Sequence, residues 1–240
     1  MITVLLSAFN EKENPFFWTT LNNIHQLQLQ GHKIDLVVGI SDGGDGTLAL
    51  LEQQGIRFVN LSTSMRSRRY NFALAAALCG PDEWILLHHP RSLLDPEAFI
   101  NLQSVPTQYH WGAFTHQFDI NHPFLSFTSW WSNQVRGQIK GIYYLDHCIF
   151  IKRKTLEKIG GVPEVDIFED TLLSLCLNEF GKPLRLPNKS TTSSIRFKKN
   201  GFLRQSILNQ VMKFRYYLNH DKALINKAYE KGISLNTEFK

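Results

Sequence analysis

The run Ile34-Asp35-Leu36-Val37-Val38-Gly39-Ile40 passes directly into Ser41-Asp42-Gly43-Gly44-Asp45-Gly46-Thr47. A short apolar run bounded by turn chemistry predicts a strand buried on both faces, as in parallel sheets. The glycines let the chain turn sharply and let a ligand approach the backbone. Asp42 and Asp45 follow the carboxyl end of the strand, where open α/β sheets bind their ligands. A tight turn rich in Asp and Gly is the plainer reading of the same residues.

The first half of the chain alternates strand and helix. Strands are predicted over Thr3–Phe9, Ile34–Ile40, Ile56–Asn60 and Trp84–His88. Asn14-Pro15 predicts an N-cap and first helical position, opening a helix that ends near Gly31. Further helices are expected over Thr47–Gln54 and Arg66–Cys79, and from Asp95-Pro96. This alternation argues for a parallel sheet with right-handed crossovers. The second half reads as strands over Tyr109–Phe118 and Tyr143–Ile151 and helices over Pro123–Ile139 and Glu169–Phe180. Leu203, Ile207, Val211, Phe214 and Leu218 give a last amphipathic helix. One domain over residues 1–197 with a helical extension over 198–240 is the simplest organisation.

Composition narrows the class. Of the 240 residues, 43% are hydrophobic, and no apolar run reaches the ~20 residues of a membrane-spanning helix. Thr3–Phe9 is short and lacks a preceding Lys or Arg, so no signal peptide is expected. Cys79, Cys148 and Cys176 are isolated and odd in number, which fits reduced thiols in a cytoplasmic protein better than disulfides or a zinc site. Net charge is +5, and residues 198–240 hold nine Lys or Arg against three acids. Such a tail is either a solvated helix face or a contact for an anionic partner such as a membrane surface. Nothing resembles a nucleic-acid recognition motif.

Several separate pieces then occur in a telling order. They are Ser7-Ala8-Phe9-Asn10-Glu11, Asp42-Gly43-Gly44, Arg66 through Asn71-Phe72-Ala73, Leu145-Asp146-His147-Cys148-Ile149, Gly160-Gly161-Val162-Pro163 and Phe168-Glu169-Asp170. In this order the chain resembles the family 2 glycosyltransferases, inverting enzymes with a GT-A fold, and is most similar to their small bacterial branch. The resemblance implies a mixed, mostly parallel sheet flanked by helices, with a nucleotide-binding half (1–105) and an acceptor half (106–197). It implies a nucleotide-sugar donor, with a UDP-sugar favoured, and a glycan or lipid-linked acceptor. By position, Ala8, Phe9, Asn10 and Glu11 would line the base and ribose, and Asp42 would hydrogen-bond the base. Arg66 would contact the nucleotide or its diphosphate, and Asp146 would sit near the donor sugar or acceptor. Asp170 would be the catalytic base, with Glu169 beside it. Trp111, Trp130, Trp131, Tyr143 and Tyr144 fall in the region that builds the acceptor side, although aromatic stripes of this kind are often core. The basic, aromatic tail would suit a protein at the inner face of the membrane.

The sequence departs from the family in one place. An acidic metal motif is expected just after the fourth strand, and here the stretch is Leu87-His88-His89-Pro90-Arg91-Ser92, with Pro90 at the acidic position. Three explanations follow. His88 or His89 supplies a ligand for Mn²⁺ or Mg²⁺, although Mg²⁺ prefers oxygen. Alternatively, Arg91, Arg66 and Arg196 neutralise the diphosphate without a metal. Otherwise the site has lost turnover and only binds nucleotide-sugar or glycan. A reading from another class also exists: Gly39-Ile40-Ser41-Asp42-Gly43 matches the G-x-S-x-G nucleophile elbow of serine hydrolases. Its acid would be Asp146 or Asp170 and its base His220.

Overall fold

The computed structural model describes residues 1–218. The chain begins β1 (Ile2–Ala8), α1 (Pro15–Leu29), β2 (Ile34–Ile40), α2 (Thr47–Gln53), β3 (Phe58–Asn60), α3 (Arg66–Ala75) and β4 (Trp84–His88). It continues through β5 (Ser92–Leu94), α4 (Pro96–Gln103), β6 (Trp111–Phe118) and α5 (Pro123–Trp131), which runs into a π-helical segment, Ser132–Ile139. After a 3₁₀ turn over Leu145–His147 come β7 (Ile149–Lys152), α6 (Arg153–Lys158), α7 (Glu169–Asn178), β8 (Leu184–Thr192), α8 (Ile195–Asn200) and α9 (Phe202–Tyr217).

All eight strands form one sheet in the order β3-β2-β1-β4-β7-β6-β8-β5. The first four pair in parallel, β7 runs antiparallel to β4 and β6, and β8 is parallel to β6. The mixed, mostly parallel sheet predicted from the sequence is therefore observed.

Alternation along the strands explains why they read as continuous apolar runs. Leu5, Val37, Ile85 and Leu87 face a cluster with Tyr70 and Ala73 of α3, Leu156 of α6, and Leu173 and Leu177 of α7. Val4 and Leu86 face the opposite side, where Ile24 of α1 and Phe99 and Leu102 of α4 pack. Both faces are covered, so neither can be polar. At Gly39 a Cβ would lie 2.0 Å from the Arg69 carbonyl oxygen, so α3 crosses β2 where the strand has no side chain.

Local signals are honoured where they were strong. The Asn14 side chain accepts from the Phe16 amide at 3.1 Å, and Pro15 occupies the first turn of α1. The predicted strand Tyr143–Ile151 is corrected: only Ile149–Lys152 is strand. The Leu145 amide donates to Asp170 Oδ2 at 3.2 Å. The Asp146 carbonyl accepts from the hydroxyls of Ser92, Ser190 and Thr192 at 3.2, 2.6 and 3.3 Å. These bonds pull the backbone out of the ladder, and Cys148 turns it back at φ 53°. The predicted helix Pro123–Ile139 divides into α5 and the π-helical segment, and α3 ends at Ala75, short of Cys79. Strands β5 and β8 and helices α6 and α8 went unread in the sequence.

Candidate active site

The strand β1 ends on a constrained corner. Ala8 is buried in register with Ile40, Phe9 is half-buried 5.9 Å beneath the Arg69 guanidinium, and Asn10 sits in the left-handed region at φ 54°. Asn10 Oδ1 is buried without a hydrogen-bond partner. A Cβ on Gly43 would fall 1.9 Å from that oxygen, so only glycine permits the loop after β2 to lie against Asn10. The Glu11 amide donates to Thr47 Oγ1 at 2.9 Å, and Asn14 Nδ2 donates to Glu11 Oε2 at 2.7 Å and to the Pro90 carbonyl at 2.9 Å. Burial pushes the Glu11 carboxyl up, opposed by the charge of Arg91.

The two loop aspartates separate in role. Asp45 accepts from the Thr47 amide and hydroxyl and from the Lys12 amide at 2.8–3.0 Å, so it fastens the loop to β1. Burial works against its charge, yet these bonds hold its carboxyl below the usual range. Asp42 is exposed, and its carboxylate accepts only from the Gly44 amide at 2.9 Å among the described hydrogen bonds. Ser41 is buried and donates to the Thr63 carbonyl at 2.6 Å. The helix begins only at Thr47. The glycines of the apparent elbow serve close packing at Arg69 and Asn10, so the hydrolase reading is corrected. Its base, His220, lies outside the described residues.

Across the cleft, the starts of α3 and α7 meet. Phe168, at φ 62°, precedes α7 and turns Glu169 and Asp170 inward, where both are buried. Arg66 Nε donates to Glu169 Oε1 at 2.5 Å, and Arg66 Nη2 lies 4.0 Å from Asp170 Oδ2. Asp170 also accepts from the Leu145 and Thr171 amides at 3.2 and 2.8 Å. Burial and the neighbouring Glu169 charge raise the Asp170 carboxyl to about 6, against the pull of Arg66. Burial opposes the Arg66 charge, but Glu169 and Asp170 outweigh it and keep the guanidinium protonated.

Asp146 is caged. Its carboxylate lies 3.7 Å from His116 Nε2 and 3.9 Å from His147 Nε2. His147 Nδ1 lies 3.0 Å from the Phe114 carbonyl, which assigns the proton to Nδ1 and leaves Nε2 to accept from Arg136 and Ser132. Burial depresses both imidazoles, His147 to about 3. Burial pushes the Asp146 carboxyl up, but the His116, His147 and Arg136 cage more than offsets this and holds it ionised. Arg136 is itself placed by the Tyr144 ring, 3.4 Å below its guanidinium. No sequence pattern marks His116, Arg136 or the buried Arg69, which donates to Ser7 Oγ at 2.8 Å. Each gains its role only through long-range contact.

The stretch after β4 offers no carboxylate to a metal. His88 is fully buried, stacked on Phe99, with Nδ1 3.0 Å from the His89 carbonyl. His89 Nδ1 accepts the Arg91 amide at 3.2 Å. Pro90 offers only its carbonyl, already taken by Asn14. No cluster of three or more His, Cys, Asp or Glu among the described residues has metal-binding geometry. Burial depresses the His89 imidazole, and the charges of Arg66, Arg91 and Arg196 push the same way against that of Asp146.

The aromatic candidates divide. Trp111 is fully buried and donates from Nε1 to the Gly181 carbonyl at 2.9 Å, so it is core, and its acceptor-side assignment is corrected. Tyr143 is likewise fully buried. Trp130 and Trp131 stand half-exposed on α5.

The strand order and the helices on both faces define an α/β fold of the GT-A glycosyltransferase type. Among solved structures the chain is similar to the mannosyltransferase PcManGT from Pyrobaculum calidifontis in complex with GDP-Man and Mn²⁺. There the TM-score is 0.61 at 16% identity, over 99% of this chain and 71% of that one. It is similar to TarS 1–349 of S. aureus in complex with UDP-GlcNAc, at TM-score 0.60 and 14% identity, covering 80% of this chain and 58% of that one. It is also similar to glucosyl-3-phosphoglycerate synthase from Mycobacterium tuberculosis, at TM-score 0.52 and 13% identity, covering 80% and 70%. The chain thus spans less than two thirds of that TarS chain. At these identities the likeness is one of fold. No family model matches the chain, and no curated protein sequence matches it.

Proposed function

We propose that this chain is an inverting glycosyltransferase of the family 2 type. It would move a sugar from a nucleotide-diphosphate donor, a UDP-sugar first, to a hydroxyl of a glycan or lipid-linked acceptor without a divalent metal. One observation carries the reading: where the family pattern calls for an acidic metal ligand the chain has Pro90, whose carbonyl is taken by Asn14, and the neighbouring His89 feels the charges of Arg66, Arg91 and Arg196. Guanidinium groups match phosphate oxygens and need no metal to offset a leaving diphosphate. The solved neighbours in complex with UDP-GlcNAc and GDP-Man support a donor of this class.

In this mechanism Asp170 takes the proton of the acceptor hydroxyl as that oxygen bonds to the anomeric carbon. The bond from that carbon to the diphosphate oxygen breaks, and its electron pair leaves with the nucleoside diphosphate toward the arginines. A carboxyl near 6 is ionised at neutral pH and still basic enough to accept the proton. The exposed Asp42 offers an acceptor to a base or ribose, on the loop that Gly43 lets lie against Asn10. Residues 1–105 would hold the donor and 106–197 the acceptor.

No helix among the described residues is long and apolar enough to cross a membrane. Ile207, Val211, Phe214 and Leu218 form an exposed stripe on α9, and Lys198, Lys199 and Arg204 are exposed nearby. This supports a cytoplasmic protein resting on an anionic membrane face through 198–240, of which 219–240 lie outside the described residues. Absence of co-sedimentation with anionic liposomes would count against that part.

Calorimetric titration with UDP, GDP and dTDP, each in EDTA and then in Mn²⁺, tests the core proposal. Metal-indifferent binding of one nucleotide, lost in Arg91→Ala, is expected, and sugar transfer should survive excess EDTA. Binding only with Mn²⁺ refutes the metal-free mechanism. Binding without turnover on any glycan would favour a non-catalytic nucleotide-sugar-binding protein.

A further inference from the structure

We propose that the open groove between β8, β6 and α5 is a saccharide subsite selective for anionic sugars, rings carrying a carboxylate or a phosphate. The inference deepens the glycosyltransferase reading and rests on it, by naming the chemistry of the acceptor.

The groove has a volume of about 360 Å³ and is lined by Thr115, Trp130, Asn133, Gln134, Arg185 and Lys189. That volume lies within the ~300–1,000 Å³ typical of ligand sites. Its donor set is specific. Trp130 gives an aromatic face for the C–H side of a sugar ring, the Gln134 amide suits ring hydroxyls, and two cations await a charge. No carboxylate lines it. Neither Arg185 nor Lys189 is ion-paired with a carboxylate among the described residues.

The site is built rather than incidental. The ladder between β6 and β8 slips at Phe114/Thr115, where the partners jump from Leu186 to Lys189. The slip throws Pro187 outward and sets Arg185 and Lys189 on either side of it. Thr115 Oγ1 pins the irregularity by donating to the Leu186 carbonyl at 2.7 Å. Asn133 is nearly buried and clamps the unpaired edge of β6, donating to the His116 carbonyl and accepting its amide at 2.9 Å each. Trp130 is half-exposed yet steadied by Phe127, stacked 5.8 Å away, so it offers a fixed face at low entropic cost.

The groove lies on the side of the sheet that α7 covers. Alternation along β6 puts Thr115 on the face of Trp111 and Ala113, which pack with Leu173 and Leu177 of α7. That helix begins with Glu169 and Asp170.

The test is calorimetric titration of the intact protein with tetragalacturonate, with glucose 6-phosphate and with neutral maltotetraose. Tetragalacturonate is expected to bind at least tenfold tighter than maltotetraose, and this margin should shrink as salt is raised. Glucose 6-phosphate binding in its place would assign the anion as phosphate. Lys189→Gln, at an exposed position, and Arg185→Gln/Lys189→Gln are each expected to remove most of the margin. Trp130→Ala should weaken both tetrasaccharides. Equal binding of the neutral and anionic tetrasaccharides overturns the proposal, as does an unchanged margin in the charge variants or no saccharide binding at all. Nucleotide titration of the unmodified protein is read separately. UDP, GDP or dTDP binding without saccharide binding removes the groove alone. Saccharide binding without any nucleotide binding removes the transferase reading instead.

Discussion

Replacing Asp170 by Asn tests the raised carboxyl through stability, without reference to substrate. Asp170 ordinarily titrates near 3.8 and is held at about 6 in the folded chain by burial and by Glu169. The folded state therefore binds this proton more tightly than the unfolded state does. The stability it contributes is complete below about pH 3.8, is lost as pH rises through about 6, and is flat above. At about 1.4 kcal/mol per pKa unit the whole effect is about 3 kcal/mol, with about 2 kcal/mol of it between pH 4.5 and 7.5. Asn cannot titrate, so this dependence is missing from Asp170→Asn. The amide also loses an acceptor for the Leu145 or Thr171 amide, which shifts stability equally at every pH and cancels in the comparison. Urea unfolding of both proteins from pH 4.5 to 7.5 reads the effect. The native protein should gain about 2 kcal/mol relative to the variant as pH falls, and transfer by the native protein should decline on an acid limb near pH 6. Parallel stability curves would refute the raised carboxyl and, with it, the argument for Asp170 as base.

Arg66→Ala strands the nearly buried Glu169 carboxylate. The expected loss is about 2–3 kcal/mol in urea unfolding, below the ~3–5 kcal/mol of a fully buried pair because Arg66 is 32% exposed. Gly43→Ala drives a methyl group into Asn10 Oδ1, so nucleotide affinity should fall at least tenfold in calorimetry with a stability loss of about 1–3 kcal/mol. Ser41→Ala removes a hydrogen bond to the Thr63 carbonyl, with about 1 kcal/mol lost in thermal unfolding and sugar transfer retained. A fluorophosphonate probe should leave Ser41 unlabelled.

The parallel half of the fold was legible because its physics is local. Apolar runs buried on both faces, the Asn14-Pro15 start of α1 and the turn after β2 each leave a mark in a few neighbouring residues. The Glu169-Asp170 pair was legible as a helix start, and the structure adds Arg66 to it from 103 residues away in sequence. The second half was harder to read. Tyr143–Ile151 has the composition of a strand, yet hydroxyls from β5 and β8 and the Asp170 carboxylate reshape its first half, and none of these is nearby in sequence. Trp111 shows the same limit: an aromatic residue in the acceptor region looks alike whether it faces a sugar or Leu173, and only packing decides. The edge strand β5, three residues long, is too short to show a pattern, and β8, paired between β6 and β5, carries Ser, Thr, Lys and Pro and so lacks the apolar alternation that marks a strand.

The π-helical turn after α5 makes the length of this segment matter as much as its composition. Its end is fixed by the Lys140 amide donating to the Val135 carbonyl five residues back, at 3.2 Å. Ser132 and Arg136 consequently both reach His147, while Asn133 reaches β6. Deleting one residue here would let ordinary i→i+4 bonds close, turning everything downstream by about 100° around the helix axis. Arg136 would swing off Tyr144, and the Asp146 cage would lose a wall without any of its residues changing. Among homologues, single-residue gaps in 132–139 should therefore be rare even where positions other than 132, 133 and 136 vary, and an alignment that opens a gap there would mark a protein whose Asp146 is held differently.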